Sequence, residues 1–245
     1  MWTRIDTATR TLPAPLAAVD LQALDANADD LARRARGVPI RIATKSVRCR
    51  EVLRRTLARP GFAGLMAYSL AEAVWLVSEG ASDVLVAYPS VDRDSFRRIA
   101  ADEVLAREIT VVIDDPQHLA LIADAVAAGA HAVRVCLDVD ASLRIGPLHL
   151  GVRRSPIHSV EQATSAARVI AREPAVRLVG VMFYDAQLAG VPDRSPAVRA
   201  MKARSSRELA SAVRGWSRRY RPSRRSSWST PAAPAASTSS PTTRA

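Results

Sequence analysis

Lys45 is the residue whose type and placement carry the most chemistry. It directly follows the apolar run Ile40-Arg41-Ile42-Ala43-Thr44, so it reads as the first group beyond the C-terminal end of a strand. In a (β/α)₈ barrel that end forms the mouth where active sites sit. An amine there, flanked by Thr44 and Ser46 rather than by acidic residues, forms a Schiff base with a carbonyl compound if desolvation lowers its pKa. The competing reading is a surface lysine that closes a strand. Lys202 is the only other lysine in the chain. Asp138 and Asp140 are two apart and could share one face of a strand end. His149 and His158 read as loop residues, and no histidine pattern joins them to the aspartates. No metal site is therefore expected.

The elements that must position these groups alternate along the chain. Short apolar runs at 16–20, 40–44, 63–67, 83–87, 109–113, 132–137 and 177–183 read as strands. Most are continuous rather than alternating, as strands covered on both faces require. Between them, 21–36, 48–59, 69–79, 92–107, 116–128 and 159–173 carry apolar positions three and four apart and read as helices, followed by a helical stretch through 196–214. Ser69 and Glu72 have capping-box spacing. Gly80 and Gly129 each stand where a left-handed cap would end a helix. Seven repeats of strand and helix predict a parallel α/β fold. Spacing alone leaves a doubly wound sheet and a barrel both open. The first predicted strand runs straight from Asp20-Leu21-Gln22 into a helix without a glycine-rich dinucleotide loop, which favours the barrel.

The 245 residues suffice for one substantial domain. Two cysteines, Cys49 and Cys136, supply neither a disulfide framework nor a zinc site. Apolar runs fall short of a membrane span, and the N-terminal stretch lacks signal-peptide character, so a cytoplasmic protein is expected. The net charge of +11 is concentrated at the end: seven arginines and no acidic residue follow Glu208, leaving +4 for residues 1–208. A basic tail binds nucleic acid without sequence preference, but no folded reader module lies beside it. From residue 221 the composition is Arg, Pro, Ser, Thr and Ala with one tryptophan, which predicts disorder.

Several segments, taken in order, resemble a known family. These are Pro13-Ala14-Pro15-Leu16-Ala17-Ala18-Val19-Asp20-Leu21, Asn27 and Arg41-Ile42-Ala43-Thr44-Lys45-Ser46. They continue with Asp138-Val139-Asp140-Ala141-Ser142-Leu143-Arg144-Ile145-Gly146 and Leu150-Gly151-Val152-Arg153-Arg154-Ser155-Pro156. The last is Gly180-Val181-Met182-Phe183-Tyr184-Asp185-Ala186-Gln187-Leu188-Ala189-Gly190-Val191. Together they resemble the fold-type III pyridoxal-phosphate enzymes of the alanine racemase N-terminal-domain family. The pattern is nearest to the D-threonine aldolase, D-serine dehydratase and amino-acid deaminase/aldolase branch.

The resemblance implies pyridoxal 5'-phosphate as cofactor and a small amino acid as substrate, with a bond at Cα labilised through a Schiff base on Lys45. It implies that Arg144 lies near the cofactor's phenolic oxygen and that Tyr184, at a strand end, approaches the cofactor. It also implies that residues 1–215 form an incomplete (β/α)₈ barrel, lacking strand eight, its glycine-rich phosphate turn and the C-terminal β domain. Intact relatives are expected to be homodimers. Residues 216–245 are expected to be a disordered tail, a frameshifted remnant of that strand and turn: shifting codons for 228–244 by two bases permits a reading that contains Gly-Gly-Thr-Gly. Without the turn, the expected cofactor adduct on Lys45 is weak and the chain is expected to be inactive. Two alternatives accompany this reading, a non-catalytic pyridoxal-phosphate-binding homeostasis protein and a basic-tailed nucleic-acid-binding protein.

Overall fold

The structure, a computed structural model, describes residues 2–127, 130–145 and 148–185, together with 196, 201, 203–205, 207 and 214. The chain opens with helices α1 (Trp2–Thr9) and α2 (Leu21–Ala35). The first strand, β1 (Ile40–Ala43), leads into a 3-10 turn, Thr44–Ser46, and then α3 (Arg50–Leu57). Next come β2 (Phe62–Ala67), α4 (Leu70–Ser78), β3 (Val84–Val86), α5 (Arg93–Ala101) and α6 (Glu103–Glu108). Beyond these lie β4 (Ile109–Ile113), α7 (Pro116–Val126) and β5 (Val133–Asp140). A hairpin, β6 (Leu143–Ile145) and β7 (Leu148–Leu150), precedes α8 (Val160–Ile170) and β8 (Val176–Tyr184).

Six strands form one sheet in the order β1-β2-β3-β4-β5-β8, and every neighbouring pair is parallel. The order follows the chain without reversal. A doubly wound sheet needs a point where the order turns back, so the topology is that of a singly wound barrel wall. One face is packed by helices. Ile42, Leu65, Val84, Val86, Val111 and Val135 share a buried cluster with Leu53, Val74, Phe96, Ile99 and Ile122 from the helices. The alternate positions Thr110, Val112 and Cys136 are buried on the other face, which in a barrel is the interior.

At the N-terminal end of the sheet, that inner face carries charge. Arg41 Nη2 donates to both carboxylate oxygens of Asp83 at 2.7 and 2.5 Å, and the Asp83 amide donates to Glu108. Gly64 makes this possible: it has φ +75, and a Cβ there would sit 2.4 Å from the Asp83 carbonyl oxygen.

Six predicted strands are present, and the one expected at 16–20 is not. Those residues belong to no strand or sheet, and Leu16 and Val19 are exposed. The segment instead delivers Asp20, whose carboxylate accepts from the Gln22 and Ala23 amides and caps α2. The long helix expected at 92–107 breaks at Asp102, which stops α5 and caps α6. Ser69 caps α4, but Glu72 accepts from the Tyr68 amide instead of returning to Ser69. The reciprocal capping box lies at Ser159 and Gln162. Gly80 has the expected left-handed conformation. Gly129 and residues 216–245 lie outside the described residues, as does most of 196–214.

Candidate active site

Parallel strands bring every strand end to one rim, and the chemistry collects there. Thr44, buried directly after β1, donates through its hydroxyl to the Met66 carbonyl. This ties the 3-10 turn to β2 and fixes the exposed Lys45 beside it. The Lys45 ammonium donates to the Tyr88 hydroxyl oxygen at 3.0 Å. Tyr88 stands two residues beyond β3, and its ring meets the edge of Tyr68, just after β2, with centroids 5.5 Å apart.

The opposite side of the rim is built from β5 and the segment that follows the hairpin. The Ser155 hydroxyl donates to the Asp138 carbonyl, and the Asp140 amide donates to the Ile157 carbonyl at 2.7 Å. Gly151 packs against Ser142 so closely that a Cβ would lie 2.1 Å from its hydroxyl oxygen. This stitching lays Arg154 across the rim. Its guanidinium lies 4.5 Å from the Tyr88 ring centre and 5.3 Å from that of Tyr184, at the end of β8.

Beneath Arg154 lies Asp138, 1% exposed. Arg154 Nε is 3.1 Å from Asp138 Oδ2, close enough for an ion pair. The alignment misses that of a hydrogen bond, so Oδ2 and the buried Arg154 Nη2 both retain unfilled capacity among the described residues. Burial pushes the Asp138 carboxyl up to about 6 against the pull of Arg154, and the nearby Asp114 and Asp140 add to the rise. Asp114 is also raised by burial, with His118 Nδ1 3.3 Å away.

The sheet must curl for these contacts to exist. Six strands laid flat would put β1 and β8 roughly 24 Å apart, five spacings of about 4.8 Å. Here Tyr88 and Arg154 bridge the distance from Lys45 to Tyr184.

The structure thus brings Lys45 and Tyr184 to one rim. It places Arg144 on β6, with Nη2 3.2 Å from Asp140 Oδ2, and His149 Nε2 lies 3.5 Å from the same oxygen. The lysine differs from expectation in one respect. The Tyr88 hydrogen bond holds its pKa above the ordinary lysine value, and the exposed position offers little desolvation to oppose this. Tyr88 and Arg154 were not singled out as site residues by sequence. A signal for Tyr88 exists: of four tyrosines in the chain, Tyr68, Tyr88 and Tyr184 stand at or just past a strand's C-terminal end. Arg154 has no such signal, because long-range stitching positions it. Among the described residues no group of three or more His, Cys, Asp or Glu could hold a metal ion. No helix there is long and apolar enough to cross a membrane.

Beside Tyr88 opens a cavity of about 320 Å³ between the segments after β2 and β3. Tyr68, Leu70, Val86, Pro89 and Val91 form its apolar wall. The polar groups on its edge serve as caps and turns: Ser69 and Asp92 cap α4 and α5, and Ser90 accepts from the Asp92 amide.

The sequence profile of the alanine racemase N-terminal domain matches residues 19–243. The chain belongs to that family. It is a fold-type III family related to pyridoxal-phosphate enzymes. Among solved structures, the chain is similar to D-threonine aldolase from Filomicrobium marinum, at 21% identity and a TM-score of 0.68, covering 84% of this chain and 53% of that one. It is also similar to D-threo-3-hydroxyaspartate dehydratase from Delftia sp. HT23 (20%, TM-score 0.57, covering 83% and 52%). A third likeness is to alanine racemase from E. faecalis (15%, TM-score 0.52, covering 79% and 49%). No curated protein sequence matches. The chain spans about half the length of these solved relatives, and the shared part is the incomplete barrel wall described above.

Proposed function

We propose that this chain is the barrel portion of a pyridoxal-phosphate-dependent enzyme that acts at Cα of a small amino acid, with the aldolase, dehydratase and deaminase reactions as the candidate class. The observation that carries the reading is Lys45 at the rim, facing Tyr88, with Arg154 held between two tyrosine rings and one buried guanidinium nitrogen without an acceptor among the described residues. A buried donor of that kind costs about 1–3 kcal/mol unless a ligand satisfies it, so the rim fits an anionic, planar group.

Pyridoxal phosphate, when bound, supplies an electron sink for the pair released as a bond at Cα breaks. This chain's residues supply the rest. Lys45 would hold the group through its amine. Arg154 would offer a fixed cation to its acidic groups, and Tyr184 would line the site from the end of β8. Arg144, held on Asp140, is assigned to the cofactor's phenolic oxygen. Asp138 lies beneath Arg154 as its counter-ion.

A spectrophotometric titration of the full chain with pyridoxal phosphate tests the reading. The expected result is a new visible band that Lys45→Ala abolishes and Lys202→Arg leaves intact. A band equally strong in Lys45→Ala would overturn it.

A further inference from the structure

Lys45 cannot bond a carbonyl carbon while it is an ammonium, and the contact at 3.0 Å shows where its proton can go. The Tyr88 hydroxyl accepts from Nζ, while the Arg154 guanidinium lies 4.5 Å from the same ring. Two cations converge on one phenol. We propose that Tyr88, in its ionised form, is the proton-transfer partner of Lys45: its phenolate oxygen takes the Nζ proton when the amine bonds an aldehyde carbon, and the resulting phenol gives a proton up when the carbonyl oxygen leaves.

The step balances. The ammonium gives its proton to the phenolate oxygen, and the freed lone pair forms the C–N bond while the carbonyl π pair moves to oxygen. One proton passes from nitrogen to that oxygen, and the phenol gives its own as the C–O bond breaks. Water departs, the nitrogen retains the positive charge as the C=N bond forms, and the phenolate is restored.

The groups facing the pair agree with this. The hydrogen bond from Lys45 pulls the Tyr88 hydroxyl below its ordinary pKa, against burial, with Arg154 adding to the effect. Lys45 is raised by the same bond, with Tyr184 favouring and Arg154 opposing its charge. Tyr68 contributes a ring edge to Tyr88, and Asp138 lies on the Arg154 guanidinium. Proton transfer by a positioned side chain contributes typically about 10²–10⁴-fold.

The inference concerns the same rim as the proposed function, so its test uses a plain aldehyde. In the Lys202→Arg background Lys45 is the sole lysine, and ¹⁵N-lysine labelling reads its titration directly. Lys45 is expected to titrate above ordinary lysine, and Tyr88→Phe is expected to move the midpoint down. The reciprocal readout is Lys45→Met, which should raise the midpoint of one tyrosine in a phenolate absorbance titration, because coupling between two sites is mutual. This second measurement stands if Tyr88→Phe fails to fold. Reductive alkylation of Lys45 by glycolaldehyde and cyanoborohydride, normalised to the free-amine fraction at each pH, should slow at least tenfold in Tyr88→Phe, the scale set by general acid–base assistance. Unchanged midpoints, or a normalised rate equal to that of the parent chain, would overturn the inference. Because glycolaldehyde is not the cofactor, a Tyr88 effect with no pyridoxal-phosphate band would sink the proposed function alone. A Lys45-dependent band with no Tyr88 effect would sink this inference alone.

Discussion

At the scale of single residues, Asp138 controls a pH dependence whose sign can be stated in advance. Its carboxyl sits at about 6 in the folded chain because it is buried, against an unfolded value of about 3.9. Between those values the folded state binds a proton that the unfolded state has released, so this group's contribution is fully present at low pH and is lost as pH rises through 6. Asp138→Asn is neutral throughout. Relative to the parent chain, the variant is expected to gain stability between pH 4 and pH 7, by up to about 2–3 kcal/mol, from about 1.4 kcal/mol per pKa unit. Thermal melts of both proteins across that range check it. A stability difference that stays flat with pH, or favours the parent more as pH rises, would contradict the burial account. The sequence shows Asp138 two positions from Asp140 near a strand end, but not its burial. That depends on Arg154, sixteen positions further along, lying across it. Lys45 was legible for the opposite reason: its place at the rim follows from standing one residue past an apolar run.

At the scale of elements, inner-face positions of the strands must accept both charge and close backbone approach. Gly64 in β2 has φ +75 and faces the Asp83 carbonyl, where any side chain would meet backbone. Gly64→Ala combines a left-handed backbone with a steric clash and is expected to cost at least about 2 kcal/mol. Urea unfolding measures it, and a loss below 0.5 kcal/mol, a size typical of neutral surface changes, would refute the packing described. Strands buried by helices on their outer face were readable because the fold demands continuous apolar runs there, as in Ile109–Ile113 with all five residues buried. The stretch 16–20 shows the weakness of that signal, since a short apolar run beside two prolines serves equally well as an unpaired lead into a capped helix. The β6–β7 hairpin was missed because its three-residue strands pair only with each other and leave no periodic pattern long enough to read.

At the scale of the whole molecule, the strand order and the curled rim make the chain a barrel wall, and the family match extends over residues 19–243. The expectation that residues 216–245 are the out-of-frame counterpart of a strand and phosphate turn lies outside the described residues. It is tested by sequencing the locus, where a stop codon soon after position 245 in the alternate frame would end it. The central claim is that the rim around Lys45 receives pyridoxal phosphate. The most direct measurement is borohydride reduction of the full chain mixed with pyridoxal phosphate, followed by proteolysis and peptide mass mapping. With only two lysines present, the account predicts the reduced pyridoxyl mass on the peptide containing Lys45 and its loss in Lys45→Ala. Label on Lys202 in its place, or equal labelling of the Lys45→Ala chain, would contradict it.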